Sequence, residues 1–225
     1  MRLSIVVPVL DEAPLIEPHL RALAPLRARG AEVIVVDGGS RDGTPRRAAP
    51  LADRVLDAPR GRAAQMNAGA RTAQGDALLF LHADTVLPDA ADRLVAQALE
   101  RAHWGRFDVR ITGRHPLLAP VARMMNLRSR LSGIATGDQA MFMRRTAFES
   151  AGGFPEIALM EDLALSARLR RLGRPACLGE RVVTSGRRWE SRGVVRTVVL
   201  MWRLRLAFWL GADPADLERR YRGPA

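Results

Sequence analysis

Carboxylates recur in this sequence where buried strands would end. Asp11 and Glu12 follow the apolar run Leu3–Val7 and Pro8, while His82 and Asp84 follow Ala77–Leu81. Asp37 closes Val33–Val36 and opens the loop Gly38-Gly39-Ser40-Arg41-Asp42-Gly43-Thr44. A carboxylate at a strand tip can accept hydrogen bonds from a nucleobase N–H or from ribose hydroxyls, and the glycines leave the backbone open to close approach. A plain helix cap would account for Asp42 and Thr44 but not for Asp37. A phosphate-binding P-loop is excluded, because Thr44 follows Gly43 directly where that pattern requires a Lys. Further along, Glu161-Asp162 opens a helix-length stretch. The helix dipole favours acids there, and a carboxylate there can also take a proton from a hydroxyl.

The elements that must hold these groups can be read from the pattern of apolar residues. Leu3–Val7, Val33–Val36, Arg54–Leu56 and Ala77–Leu81 are strand-length runs buried on both faces. Helix-length stretches Glu12–Arg29, Thr44–Leu51 and Ala63–Ala73 lie between them. Such alternation predicts an α/β fold, a mostly parallel twisted sheet flanked by helices on both faces, with ligands at the carboxyl ends of the strands. The second half predicts strands at Arg106–Thr112, Ala140–Met143 and Arg181–Thr184. It predicts helices at Leu117–Leu131, Glu161–Arg171, Gly193–Leu210 and Pro214–Tyr221. We expect one domain over 1–190, with a ligand-reading half (1–100) and a second half (101–190), followed by C-terminal helices over 191–225.

Composition narrows the classes. The formal net charge is +11 over 225 residues, and all 35 basic residues are Arg. Arg keeps its charge and forks onto phosphate or carboxylate oxygens. Without Lys there is no Schiff-base chemistry on a side-chain amine. A single cysteine, Cys177, excludes an internal disulfide framework. Arg is spread along the chain, aromatics are 5% and no nucleic-acid reading motif occurs, so nucleic acid is not an expected partner. The opening apolar run is too short for a signal-peptide core, which gives a cytoplasmic expectation. The stretch 193–210 carries Trp202, Phe208 and Trp209, interrupted by Arg196, Arg203 and Arg205. Charges at its centre exclude a spanning helix but leave room for peripheral contact with the inner face of a membrane. On a helical wheel, Arg205 falls nearly opposite the other arginines and spoils a clean stripe.

The order Pro8-x-x-Asp11-Glu12, Asp37-Gly38-Gly39-Ser40-x-Asp42-Gly43-Thr44, Asn67-x-Gly69, an apolar strand closing on Asp84, and Gly152-Gly153-Phe154-Pro155 before Glu161-Asp162 resembles the family 2 glycosyltransferases of the GT-A fold. The resemblance covers about residues 3 to 190. It implies an inverting, metal-dependent, hexosyltransferase-like enzyme. That enzyme would move a sugar from a nucleoside diphosphate-sugar, with UDP the expected nucleotide, to the hydroxyl of an undefined small-molecule or lipid acceptor. The resemblance gives Asp37 to the base or ribose, with Pro8, Asp11, Glu12, Gly38 and Asn67 around the same pocket. It gives Asp84 to Mg²⁺ or Mn²⁺ on the diphosphate and Asp162 the role of general base. The family's first metal-side Asp is replaced here by His82, which removes one carboxylate. Arg62 would add charge at the diphosphate. Gly137-Asp138-Gln139, Glu161 and Arg187-Arg188-Trp189 are acceptor or diphosphate candidates, each with a structural alternative as turn, helix start or core closure. Two other readings compete: a relative that binds nucleotide sugar without transferring it, and a sugar-phosphate nucleotidyltransferase. The second lacks its expected Gly-rich, Lys-bearing elements.

Overall fold

The computed structural model describes residues 1–222; the last positions of the expected C-terminal segment, 223–225, lie outside the described residues. The first half runs β1 (Leu3–Val9), α1 (Ala13–Ala22), α2 (Ala24–Ala28), β2 (Glu32–Asp37), α3 (Thr44–Ala48), β3 (Arg54–Asp57), α4 (Arg62–Thr72), β4 (Ala77–Phe80), β5 (Thr85–Val86) and α5 (Ala91–Arg101). The second runs β6 (Trp104–Thr112), α6 (Leu118–Ser132), a 3-10 turn (Gly137–Gln139), β7 (Phe142–Arg144), α7 (Arg145–Ser150), α8 (Glu161–Leu169), β8 (Ala176–Ser185), α9 (Arg187–Arg192), α10 (Val194–Trp209) and α11 (Pro214–Arg222). The strands form one eight-stranded sheet in the order β3-β2-β1-β4-β7-β6-β8-β5. The β3-β2-β1-β4 half is parallel, and β6 pairs parallel with β8. The β4–β7, β7–β6 and β8–β5 pairs are antiparallel.

The predicted Glu12–Arg29 helix is two helices. Pro25 sits in the first turn of α2, where it cannot supply the N–H that would continue α1. The sequence reading also passed over α5, although Ala91, Val95 and Leu99 recur every fourth residue and are its buried face. On one side of the sheet, α1, α5 and α6 cover Ile5, Val7, Leu79 and Phe107. On the other, α4, α7 and α8 cover Val6, Ile34, Leu78 and Met143. A third, smaller cluster joins Leu204 of α10 and Leu217 of α11 to Ile134, Met160 and Leu163.

β1 lies between β2 and β4, so the chain changes direction across the sheet at β1 and opens a crevice beyond the strand ends. Pro8 marks where it opens. Val6 accepts from Leu81 N–H at 3.0 Å, and Val9 accepts from Gly38 N–H at 2.9 Å. The alternation puts the Pro8 nitrogen on the β4 side, where the ladder has ended and no donor is needed.

Candidate active site

A cavity of about 1230 Å³ occupies this crevice and extends under α6, α9 and α10. That exceeds the few hundred to about 1,000 Å³ of ordinary small-molecule sites. It has room for a large donor and part of a second substrate. Pro8, Glu12, Arg62, His82, Asp84, Gly137, Asp138, Glu161, Asp162, Arg187, Arg188 and Trp189 all line it.

Several expected site residues do not reach this wall. The Asp37 carboxylate is buried and is engaged by its own loop, accepting from Gly39 N–H at 2.9 Å, Ser40 N–H at 2.8 Å and the Ser40 hydroxyl. Asp11 accepts from Arg41 N–H at 2.8 Å, and its own N–H donates to Ser40 Oγ. Asp42 accepts from Ala13 N–H at 2.8 Å and from Thr44, while Thr44 Oγ1 accepts from Glu12 N–H at 2.9 Å. The glycine-rich loop is thus laced to the start of α1, and this lacing sets the position of Glu12. Gly38 packs against the Gln65 side chain, which a Cβ would meet at 3.0 Å. Asn67 forms a two-way clamp with the Phe154 backbone, at 2.8 and 3.0 Å. Gln139 is fully buried and completes a capping box with Thr136.

At the crevice, burial and the nearby Asp84 push the Glu12 carboxyl up, while Arg187 and Arg188 oppose them. Two carboxylates within each other's field, faced by arginines, suit a diphosphate carrying a divalent cation. Among the described residues no cluster of three or more His, Cys, Asp or Glu could hold a metal by itself. The donor set therefore fits an ion shared with phosphate oxygens better than a resident one. His82 Nδ1 lies 3.3 Å from Asp138 Oδ1. Gly137 is required beside it, because a Cβ there would lie 2.6 Å from the His82 ring. Burial raises the Asp138 carboxyl, but the hydrogen bond from His82 and the charges of His82, Arg62 and Arg188 prevail and hold it below the usual range.

Beside this pair, Asp162 accepts from Gly137 N–H at 2.8 Å and from Leu163 N–H at 2.7 Å. Each oxygen keeps a lone pair for a further donor. Glu161 is buried, and burial followed by the Asp162 charge pushes its carboxyl up to about 7, against the pull of Arg62. Arg62 is exposed and lines the cavity. Desolvation works against its charge, and Glu161, Asp138, Tyr221 and Asp162 more than restore it.

All three non-glycine residues with positive φ among those described flank this site: Asp11 (54°), Ala140 (45°) and Met160 (71°). Such conformers cost about 1–3 kcal/mol each and persist where packing imposes them. Met160 directly precedes Glu161-Asp162 and is held in the cluster with Leu204 and Leu217. The C-terminal helices therefore fix the direction in which α8 presents its acids. Arg188 donates to the Tyr221 hydroxyl and lies 5.4 Å over its ring, and Trp189 both lines the cavity and packs on the main core.

Sequence reading missed Gln65 and the pair Arg128 and Arg205. Gln65 is buried and donates to the Val9 and Val36 carbonyls, each at 2.8 Å, which ties β1 to β2 at the crevice. Arg128 and Arg205 line the cavity from α6 and α10. For Arg205 the signal was its misfit on the helical wheel.

A switch-point crevice with carboxylates on the β1 and β4 loops, faced by a helix-start acid pair from the second half, defines the architecture as the GT-A type of α/β protein. The chain belongs to glycosyl transferase family 2, whose model matches residues 4–150. Among solved structures, a mannosyltransferase from Pyrobaculum calidifontis in complex with GDP-Man and Mn²⁺ is 27% identical, with a TM-score of 0.64 over 91% of this chain and 60% of that one. S. aureus TarS 1-349 is 18% identical, with a TM-score of 0.63 over 83% of this chain and 61% of that one. Glucosyl-3-phosphoglycerate synthase from Mycobacterium tuberculosis, in complex with Mg²⁺ and UDP, is 22% identical, with a TM-score of 0.57 over 81% and 69%. The chain spans about three fifths of the length of the first two. Among curated proteins none matches.

Proposed function

We propose that this chain is an inverting glycosyltransferase that moves a sugar from a nucleoside diphosphate-sugar, with UDP the preferred nucleotide, to an acceptor hydroxyl. The observation that carries this reading is a single cavity lined by Glu12, Asp84 and Asp162 together. The diphosphate lies at the crevice against Arg187 and Arg188, with Arg62 adding charge. Asp37 serves the nucleotide through the loop it holds, with Asp11 and Gly38 shaping the same edge. Bound with the donor, Mg²⁺ or Mn²⁺ would be held by Asp84 and would stabilise the charge developing on the leaving diphosphate. Asp162 orients the acceptor hydroxyl and takes its proton as the oxygen bonds to the anomeric carbon. The bond from that carbon to the diphosphate breaks on the opposite face, and its electron pair leaves with the nucleotide. His82 and Asp138 line the cavity beside Asp162, and Trp189 offers an aromatic face to a sugar.

No helix among the described residues is long and apolar enough to cross a membrane. The outward face of α10 nevertheless carries Val195, Val199, Leu206 and Trp209, with Trp202 between them at the cavity rim, at alternating spacings of four and three. Trp202 and Leu206 are 61% and 62% exposed. Arg205 is turned into the cavity wall, while Arg196 and Arg203 stay exposed beside the stripe. Met124, Leu127 and Leu131 expose a second apolar edge on α6 at the cavity mouth. Charge complementarity makes an anionic membrane surface the partner for this face, with the cavity opening towards it.

Calorimetry of Mn²⁺ binding with and without UDP tests the donor site. We expect weak metal binding to the protein alone, tight binding with UDP, and loss of that gain in Asp84→Asn. Tight metal binding without nucleotide, or full turnover of UDP-sugar in EDTA, would overturn the reading.

A further inference from the structure

Arg128 and Arg205 face the cavity from two different helices, and both are largely withdrawn from bulk water. Arg128 Nε and Nη2 and Arg205 Nε are buried without a hydrogen-bond partner. Buried polar groups in native proteins are nearly always paired, and an uncompensated buried charge costs several kcal/mol. Here two such charges also repel each other. Burial and then Arg205 push the Arg128 guanidinium down to about 10, so it stays charged at neutral pH. Burial lowers Arg205 in the same way, opposed only by Asp162 and Asp138. The apolar residues on the same helix faces, Met124 and Leu131 on α6 and Met201 on α10, offer nothing to neutralise them.

This pair acts on a different carboxylate from Arg187 and Arg188. The cations that act on Glu12 beside Asp84 are Arg187 and Arg188. The carboxylate that Arg128 and Arg205 share is Asp162. The pair therefore sits beside Asp162, which also acts on Arg62.

We propose that Arg128 and Arg205 form an oxyanion subsite for the acceptor, which carries a phosphate group held by the two guanidinium forks while its hydroxyl lies at Asp162. This rests on the glycosyltransferase reading and names the chemical class of the second substrate. A doubly charged phosphate matches two monovalent cations, and paired N–H donors match its oxygens.

The test uses inorganic phosphate as the probe and the full chain saturated with UDP and Mn²⁺, with binding read by calorimetry. Phosphate should bind to the UDP-loaded protein. Arg128→Gln and Arg205→Gln should each weaken it about 10- to 100-fold, as expected for losing a charge-assisted hydrogen bond, and leave UDP affinity unchanged. Arg196→Gln, on the exposed face, should change neither. Arg128→Met should raise the melting temperature of the ligand-free protein, because it removes an unpartnered buried charge and keeps the packing. A structural arginine would give the opposite sign. Phosphate binding that depends on the pair in a protein that fails to bind UDP would support the subsite and sink the donor reading. UDP binding with no phosphate binding, or with phosphate binding indifferent to the pair, would overturn the subsite alone. Loss of UDP affinity in either Gln variant would also overturn it, by assigning the pair to the donor diphosphate.

Discussion

Substitution of Asp162 by Asn separates proton transfer from architecture. The carboxylate is fixed by N–H donors from Gly137 at 2.8 Å and Leu163 at 2.7 Å. An amide can accept only one of these, and its NH₂ then faces the other donor. Losing one such bond costs about 1–3 kcal/mol of stability, which for a chain of this size lowers Tm by roughly 2–12 °C. The protein therefore stays folded in an assay at 25 °C. The rate effect is larger. Loss of a general base is worth about a hundred- to ten-thousand-fold in kcat, or roughly 3–5 kcal/mol in the barrier. The assay is release of nucleoside diphosphate from the UDP-sugar that best stabilises the protein in a thermal-shift screen, with water as acceptor. Donor affinity is measured in parallel. Glu161 is the control. Its carboxyl, raised to about 7, is mostly protonated at pH 6, where it cannot serve as a base. Glu161→Gln should leave the pH 6 rate nearly intact and cost less than about tenfold above pH 7, well below the loss of a base. Near-normal turnover in Asp162→Asn, or loss of donor affinity there, would refute the assignment. A loss of base magnitude in Glu161→Gln would move the role to Glu161.

Other outcomes follow from the same geometry. Glu161 binds its proton more tightly folded than unfolded, so its contribution to stability is full below about pH 4.5 and lost as pH rises through about 7. Melting curves of Glu161→Gln should lack that component. His19 has the opposite sign: burial drops its pKa from 6.5 to about 4, so stability is full above 6.5 and falls towards pH 4. The loss amounts to about 3 kcal/mol, and His19→Leu, which also removes an unpartnered Nε2, should raise Tm more at pH 5 than at pH 8. A Cβ at Gly69 would overlap Val6 and stand 3.0 Å from Val36 Cγ2, so Gly69→Ala should destabilise by about 1–3 kcal/mol despite better helix propensity, with recovery in the Val6→Ala background. Leu206→Glu should abolish sedimentation with vesicles containing anionic phosphatidylglycerol while leaving UDP binding unchanged, and persistence of vesicle binding would refute the membrane face.

The strands were legible because burial on both faces leaves little but Val, Ile and Leu, as in Ile5, Val33 and Leu79. The loops after them were legible as a site because carboxylates cluster at one sheet edge. The pairing on the far side of β4 was not. β7 is three residues long and runs antiparallel, and no local pattern specifies the direction of a three-residue strand. Asp37 shows a different limit. A strand-tip carboxylate beside glycines can bind a ligand or hold its own loop, and residue type alone does not choose between them. In the structure its oxygens accept from Gly39 and Ser40.

Arg205 carries this furthest. On a helical wheel it breaks the stripe formed by its neighbours, because the wheel treats every outward direction as solvent. In the folded chain that direction is a cavity wall opposite Arg128. The outer face of α10 is left apolar with Arg196 and Arg203 beside it, while its inner side supplies Leu204 to the cluster that holds Met160 in its left-handed conformer. One helix thus exposes an apolar face, lines the cavity and braces the residue that precedes Glu161 and Asp162.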